Sequence, residues 1–220
     1  MKKLLFTLAL LISFTGFSQT PITDANFNQA IETCLSTNPV DGLCSDSEYG
    51  AMPDWDVSQV TVMSNAFYFR VDFNADIGSW NVSSVNNMQG MFHNASAFNQ
   101  EIGSWDVSNV TNMFYMFRNA PLFNQEIGSW DVSNVTDVSF MFAYATSFNA
   151  DISNWNVSSV TDMTDMFYSA QAFNQPIGDW DVSSVTEMNR MFMTPASSSF
   201  NQPIGDWDVS SVTDMTDMFY

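Results

Sequence analysis

A tryptophan recurs along most of this chain at a nearly fixed interval. The steps between successive tryptophans are 25 residues five times and 27 residues once: Trp55, Trp80, Trp105, Trp130, Trp155, Trp180 and Trp207. Valine stands two and five residues after each tryptophan, serine three residues after it, and phenylalanine twelve residues after it. A fixed period between about 20 and 50 residues is typical of proteins that stack one structural unit on the next. The sequence therefore predicts a repeat solenoid over 54–220.

The apolar positions of the repeat indicate how each unit is built. Trp180 and Val182 alternate with polar residues, as one face of a strand would. Val185, Met188 and Phe192 then follow at steps of three and four, which suit a short helical turn. We therefore expect a β-rich, leucine-rich-repeat-like solenoid of short parallel strands and short helical turns. Its core is predicted to contain Trp80, Trp105, Trp130, Trp155, Trp180, Phe92, Phe117, Phe142, Phe167 and Phe192.

Asparagine also recurs once per repeat, immediately after a second phenylalanine. Six copies carry it: Asn74, Asn99, Asn124, Asn149, Asn174 and Asn201. Stacked side-chain amides can donate to the copy on one side and accept from the copy on the other. This column is expected to stabilise the stack rather than to bind a ligand.

The chain opens with a stretch that does not belong to the repeat. Two lysines precede a short apolar run, and Gly16 and Ser18 frame a cleavage site before Gln19. This pattern predicts a secretory signal peptide over 1–18, which is too short to remain as a membrane anchor. We expect the mature chain to be exported and to contain no integral membrane segment.

Residues 19–53 are predicted to form a helical cap on the first repeat. Thr23 or Asp24 is a suitable N-cap. The following apolar residues recur at helical spacing: Phe27, Ala30, Ile31, Cys34 and Leu35. Cys34 and Cys44 are the two cysteines of the chain, and in an oxidising compartment they are expected to form one disulfide. The end of a stack needs such a cap because its core would otherwise face water.

Charge limits the partners that the protein can have. The formal net charge is −19, and removal of 1–18 leaves no lysine and three arginines, Arg70, Arg118 and Arg190. Such a surface repels phosphate backbones, so nucleic acid is excluded as a partner. The hydrophobic and aromatic fractions of 45% and 15% indicate a packed core rather than disorder.

No arrangement of residues in the sequence predicts catalysis. An active site needs distinct groups at one place, whereas nearly every candidate group here is copied once per repeat. His93 is the sole histidine and occupies a variable position that is expected to be exposed. The three arginines lie ten, thirteen and fifteen residues after their tryptophans, and they are not expected to converge. We predict that the protein is not an enzyme and has no cofactor.

Calcium is the alternative ligand that the sequence leaves open. The residue after most tryptophans is an aspartate, and Ca²⁺ prefers oxygen ligands of this kind. Stacked carboxylates repel one another unless water or a shared cation lies between them. The candidate ligands are Asp106, Asp131, Asp181 and Asp208.

The unit FNQxIGxWDVSxVTxMxxMF resembles the repeat of the BspA-like leucine-rich-repeat surface proteins of bacteria, in the tryptophan-containing branch. The resemblance covers 54–220 and implies an exported or surface-displayed protein that adheres to extracellular partners without catalysis. It carries over no binding residues. We expect a binding or adhesion module for a protein or glycan, with the partner at the variable positions after each Met–Phe: Tyr168, His93, Arg118, Ala143 and Met193.

A structural spacer or stalk, with or without bound calcium, is the alternative function. The chain ends just after the phenylalanine of the seventh copy, without a polar cap. We therefore expect further repeats or a C-terminal module beyond Tyr220, which such a stalk would hold away from the cell.

Overall fold

The computed structural model describes residues 19–195 and 197–219, so the predicted signal peptide lies outside the described residues. Within these ranges one α-helix, α1, spans Phe27–Leu35, and a 3-10 helix spans Met52–Asp54. The apolar stripe of α1 is buried as its spacing indicates. The predicted N-cap is wrong, because α1 begins after Asn26, whose side-chain oxygen accepts a hydrogen bond from the Thr23 amide.

The segment before the repeats closes one end of the stack. A disulfide joins Cys34 at the end of α1 to Cys44, with the two Cα atoms 5.3 Å apart. Asp24 accepts hydrogen bonds from the Thr61 amide at 2.8 Å and from the Thr61 hydroxyl at 2.7 Å. In every later repeat the equivalent amide donates to a backbone carbonyl of the preceding copy. Asp24 therefore replaces the copy that the first repeat lacks.

The described residues from 55 onward form seven successive coils, each starting at a tryptophan, and each coil is hydrogen-bonded to the next. We call this arrangement the coil stack and number the coils from Trp55. Backbone amides of coil 2 donate to carbonyls of coil 3, as Gly90 does to Phe114 at 2.8 Å and Phe92 does to Met116 at 2.9 Å. The equivalent bonds join every pair of neighbouring coils. Because each coil is hydrogen-bonded to its neighbours, these contacts stabilise the stack along its length.

The prediction of a β-rich solenoid with short parallel strands is wrong. Among the described residues there is no strand and no sheet, and parallel pairing is reduced to isolated bridges such as Asn87 with Asn112. The expected strand at Ile177, Trp180 and Val182 is a turn, in which the Trp180 amide donates to the Ile177 carbonyl at 3.2 Å. The protein is built mostly of loops and turns, and a disulfide stabilises its N-terminal segment.

Alternate amides in each coil have different partners, which explains the absence of strands. In coil 2 the amides of Gly90 and Phe92 donate to coil 3, whereas those of Met91 and His93 close turns within their own coil. The residue ten after each tryptophan, and the residue fourteen after each of the first five, also have positive φ, including bulky side chains such as Phe140 at 56° and Tyr144 at 61°. A left-handed residue interrupts the extended backbone that a strand needs. The predicted helical turns are replaced by these overlapping turns.

The core consists of ladders of stacked aromatic rings. Phenylalanines twelve residues after each tryptophan stack from coil to coil with ring centroids 5.4–5.8 Å apart. A second phenylalanine ladder contacts the first, with Phe117 and Phe123 only 3.9 Å apart. From Trp105 onward each indole N–H donates to an isoleucine carbonyl of an earlier coil, as Trp130 does to Ile102 at 3.1 Å, whereas the first two tryptophans donate to the segment before the repeats. The tryptophans are buried and their one polar atom is paired.

The asparagine column forms a ladder of a different kind from the one expected. Each side-chain carbonyl accepts from the backbone amide of the next asparagine, at 2.7–2.9 Å, rather than from its side chain. In the copies where a glutamine follows the asparagine, the glutamine side-chain amide donates to the backbone carbonyl of the asparagine one repeat earlier, as Gln125 does to Asn99. The column therefore pairs backbone groups that the turns leave open.

In four coils a glycine near the end of the coil approaches the next coil too closely for a side chain. A Cβ added to Gly103 would lie 2.2 Å from the carbonyl oxygen of Glu126 in the next coil. Gly78, Gly128 and Gly178 have the same relation to their neighbours.

No helix among the described residues combines the length and apolar composition needed to cross a membrane.

Candidate functional site

One side of the coil stack carries the side chains that vary most from coil to coil. The isolated bridges lie seven residues after each tryptophan, and in the first six coils the residues eight, eleven and twelve after it are buried in the core. The residues nine, ten, thirteen and fourteen after it lie mostly at the surface, because the left-handed residues turn the chain outward there. In five coils these positions include aromatic rings. We call this surface the aromatic face: Tyr68, Phe69, His93, Phe114, Tyr115, Arg118, Phe140, Tyr144, Tyr168, Arg190 and Met193.

The rings of the aromatic face contact one another across coils. Tyr68 lies 5.0 Å from His93, and His93 lies 5.3 Å from Tyr115, measured between ring centroids. Tyr115 continues to Phe140 at 4.7 Å. Farther along, Tyr144 contacts Tyr168 at 5.1 Å. Several of these rings remain open to solvent, with Tyr68 and Phe69 44% and 57% exposed. An exposed run of aromatic rings on a monomer is typical of an interaction surface.

Arg118 lies at the centre of the aromatic face. Its guanidinium carbon is 5.3 Å from the ring centre of Tyr115 and 5.7 Å from that of Tyr144. A guanidinium at this distance is attracted to the negative faces of the rings. Its Nη1 also donates to Nε2 of His93 at 2.9 Å. The side chain is therefore held in place by three aromatic residues of three coils.

Burial and the contact with Arg118 together keep His93 neutral. Burial of the ring and, second, the charge of Arg118 lower the pKa of His93 to about 4. The imidazole is therefore neutral near pH 7, and its Nε2 accepts because a guanidinium can only donate. The sequence-based expectation that His93 is exposed is wrong, since the side chain is half-buried between Tyr68 and Tyr115.

Arg190 occupies a neighbouring part of the aromatic face and is paired with an acid. Its Nε lies 3.0 Å from Oδ1 of the buried Asp165, and its Nη2 contacts Oδ2. Arg118 and Arg190 line one shallow concavity of about 220 Å³, together with Phe140, Tyr144, Tyr168 and Met193. The expectation that the arginines do not converge is therefore wrong for these two. Arg70 lies elsewhere and pairs with Glu32 of α1.

The variable positions after each Met–Phe contribute only part of this surface. Tyr168, His93, Arg118 and Met193 lie on the aromatic face, whereas Ala143 is buried. The positions nine, ten and fourteen after the tryptophans, which supply Phe114, Tyr115, Phe140 and Tyr144, are not among the predicted binding positions. These repeat positions are polar in most copies and aromatic in a few, and that difference could have indicated a binding surface.

The calcium candidates lie on a different surface and are engaged in local turns. Each of Asp106, Asp131, Asp181 and Asp208 accepts a hydrogen bond from the amide of the serine two residues later, at 3.0–3.1 Å. Hydrogen bonds from that serine side chain, and then from its backbone, lower the pKa of these carboxyls. No three His, Cys, Asp or Glu residues are grouped to hold a metal ion within 19–195 and 197–219.

Comparisons with known proteins address the repeat region. Comparison with curated proteins and with solved structures gave no significant match. One sequence family matches the chain twice, over residues 43–151 and 122–220, and its description is "Mycoplasma protein of unknown function, DUF285". The two matches overlap and together cover more than half of the sequence. The chain therefore belongs to the DUF285 family.

Proposed function

We propose that this protein is an exported, non-catalytic binding module whose aromatic face engages an extracellular protein or glycan. Within the DUF285 family we place it close to the BspA-like surface proteins, on the basis of the repeat motif with its Trp-Asp-Val-Ser core. The lysines and apolar run of the leader support export. Adhesion is the role that the motif resemblance implies.

The observation that carries this proposal is the concentration of exposed aromatic side chains on one surface. Tyrosine and arginine are among the residues that contribute most to binding interfaces, because they bury a large area and form hydrogen bonds at the same time. The face is also held rigidly, since its backbone is hydrogen-bonded to both neighbouring coils. A surface that is already ordered loses less entropy on binding.

Catalysis is not part of the proposed function. The histidine and arginines that an enzyme would use already have partners on the aromatic face: His93 with Arg118, and Arg190 with Asp165. The concavity beside them is open and shallow, whereas catalytic sites generally enclose their substrate.

The alternative function, a spacer, is favoured by a different observation. The threonine, asparagine and glutamine columns are used in bonds between coils, so much of the polar surface is structural. A spacer needs only these repeated hydrogen bonds between coils and no binding surface. The calcium-stabilised version of the spacer predicts a higher midpoint of thermal unfolding with millimolar calcium than with chelator. A binding module with the present aspartate turns predicts no such shift.

Binding measurements with matched variants separate the two functions. In the face variant, Tyr115, Tyr144 and Tyr168 are replaced by serine. In the control variant, three exposed apolar residues away from the face, Val40, Leu43 and Leu122, are replaced by serine. The purified proteins are passed over a panel of immobilised extracellular matrix proteins and oligosaccharides, with circular dichroism as a check of folding.

We expect the wild type and the control variant to bind the same immobilised ligands, and the face variant to bind those ligands at least tenfold more weakly. Absence of binding by the wild type, or equal binding by the face variant, would contradict the proposal and leave the spacer function.

A further inference from the structure

We propose that Arg118 binds the carboxylate of an acidic sugar whose ring packs against the tyrosines on either side of it. The inference rests on the proposed binding function of the aromatic face and specifies the class of ligand. Its basis is the bonding state of Arg118, the rings around it and the size of the neighbouring concavity.

Arg118 forms no ion pair with an acidic side chain among the described residues. Of the three arginines in the described part of the chain, Arg70 pairs with Glu32 and Arg190 pairs with Asp165, whereas Arg118 makes no ion pair. Its one hydrogen bond goes to the uncharged His93, and its Nε has no acceptor at all. A guanidinium can donate five hydrogen bonds in a planar fork that matches a carboxylate. The Nε of Arg118 is buried and therefore closed to a ligand, but the N–H groups of Nη2 and the second N–H of Nη1 make no hydrogen bond with the described residues.

The chain carries 24 aspartates and glutamates, so an unpaired arginine needs an explanation. The side chain that faces Arg118 most closely is a histidine whose ring accepts a hydrogen bond and adds no negative charge. Together with the rings of Tyr115 and Tyr144, it holds the guanidinium in place and leaves its charge available. A charge-assisted hydrogen bond to a ligand carboxylate is stronger than one between neutral groups.

The surroundings of Arg118 suit a sugar ring. Tyr144 is 39% exposed and borders the concavity together with Tyr168 and Met193. A flat aromatic ring provides apolar area for the C–H face of a pyranose, and its hydroxyl provides a hydrogen-bonding partner. At about 220 Å³ the concavity lies below the range of about 300–1,000 Å³ for drug-sized ligands, so it accommodates one small ring.

An acidic sugar fits this site better than an acidic protein. Arg190, the other cation in the concavity, is neutralised by Asp165, so the site offers one free positive charge. A single uronic acid residue brings one carboxylate, whereas the surface of an acidic protein brings many. The formal net charge of −19 repels the latter. Charge complementarity thus selects a ligand with one carboxylate at the point of contact.

The test uses the purified protein and a tetrasaccharide of alternating glucuronic acid and N-acetylglucosamine, titrated by isothermal calorimetry. A second tetrasaccharide, with its carboxylates reduced to alcohols, measures the contribution of charge. A peptide of four glutamates tests whether any carboxylate is sufficient. Arg118→Gln removes the charge, Arg118→Lys keeps the charge without the fork, and Arg70→Gln is the control at a distant arginine.

We expect the acidic tetrasaccharide to bind at least tenfold more tightly than its reduced form and than the peptide. Arg118→Gln should lose at least tenfold, Arg118→Lys should lose less, and Arg70→Gln should bind like the wild type. Equal affinity for the acidic and reduced sugars, tighter binding of the peptide, or no effect of Arg118→Gln would overturn the inference. If the face variant still loses binding to the panel in that case, the proposed binding function stands and only the ligand class is wrong.

Discussion

Arg118 donates a hydrogen bond from Nη1 to Nε2 of His93, 2.9 Å away, across the boundary between coils 3 and 2. The two residues are 25 positions apart in the sequence and occupy the same position of the repeat. Because a guanidinium only donates, this contact fixes His93 as the neutral tautomer with its proton on Nδ1. The contact also orients Arg118 between Tyr115 and Tyr144.

Stability is expected to depend on pH through His93. Its pKa is lowered from the ordinary 6.5 to about 4 in the folded protein. Between these values the unfolded chain binds more protons than the folded one, so the free energy of unfolding falls as the pH drops from 6.5 to 4. Above pH 6.5 this contribution is fully present. The side chain is partly exposed, so we expect a loss of about 1 kcal/mol.

His93→Gln isolates this effect, because glutamine can accept from Arg118 and does not titrate. Urea unfolding of both proteins at pH 7.5 and pH 4.5 measures the difference. The wild type should lose about 1 kcal/mol more than His93→Gln over this interval. If both proteins lose the same amount, the lowered pKa of His93 is not linked to folding.

The indole ladder is expected to contribute directly to stability. The Ile102 carbonyl accepts from both the Trp105 amide and the Trp130 indole, each at 3.1 Å. Trp130→Phe removes the second bond, which costs about 1 kcal/mol, and leaves unfilled space in the core. We expect a total loss of about 2 kcal/mol or more in urea unfolding. Tyr144→Phe, on the exposed face, should change stability by less than about 0.5 kcal/mol, and an equal loss in both variants would contradict this account.

The close contact between coils should make one glycine position sensitive to substitution. Gly103→Ala places a Cβ against the Glu126 carbonyl, and such overpacking costs about 1–3 kcal/mol. Ser153 occupies the same position in coil 4, which indicates that a neighbouring coil can yield, so we expect the lower end of that range. Gly205→Ala is the matched control, because no atom lies within 4 Å of its added Cβ.

Thermal unfolding of the two glycine variants provides the measurement. Gly103→Ala should lower the midpoint, and Gly205→Ala should leave it unchanged or raise it slightly, since alanine restricts the unfolded chain. A lower midpoint for Gly205→Ala of the same size would show that the contact with the next coil is not the cause.

The disulfide between Cys34 and Cys44 is expected to stabilise the segment that closes the stack. Joining two cysteines ten residues apart restricts the unfolded chain by about 2–3 kcal/mol in the loop-entropy model. Cys34→Ala combined with Cys44→Ala should therefore lower the free energy of urea unfolding by that amount. Dithiothreitol should have the same effect on the wild type and none on the double variant. An effect of the reductant on the double variant would point to another cause.

The sequence was informative where one pattern has one structural meaning. The spacing of Phe27, Ala30, Ile31, Cys34 and Leu35 fits a helical face, and α1 buries these residues. The strand prediction failed because alternation of Trp180 and Val182 is compatible with a strand and also with a pair of tight turns. The glycine at position 178 favours the turn, since it lies inside the segment that Ile177 and Trp180 close.

The aromatic face could be predicted only in part, because its geometry depends on unusual backbone conformations. Positive φ is common for glycine and asparagine, as at Gly90 and Asn65, but is rare for Tyr115, Phe140 and Arg190. Nothing in the local sequence indicates that these larger residues adopt a positive φ. Their conformation follows from the repeat, in which hydrogen bonds to neighbouring coils impose the same path on each copy. Contacts between coils, such as Arg118 with His93, depend on that path.

The measurement that tests the binding function most directly compares the binding of the face variant and the control variant to the immobilised ligand that the wild type binds most tightly. Each variant replaces three large side chains that reach the surface by serine, so a general loss of apolar surface affects both. The account predicts at least tenfold weaker binding by the variant without Tyr115, Tyr144 and Tyr168, and unchanged binding by the variant without Val40, Leu43 and Leu122. Equal binding by the two variants would contradict the assignment of the aromatic face as the binding surface.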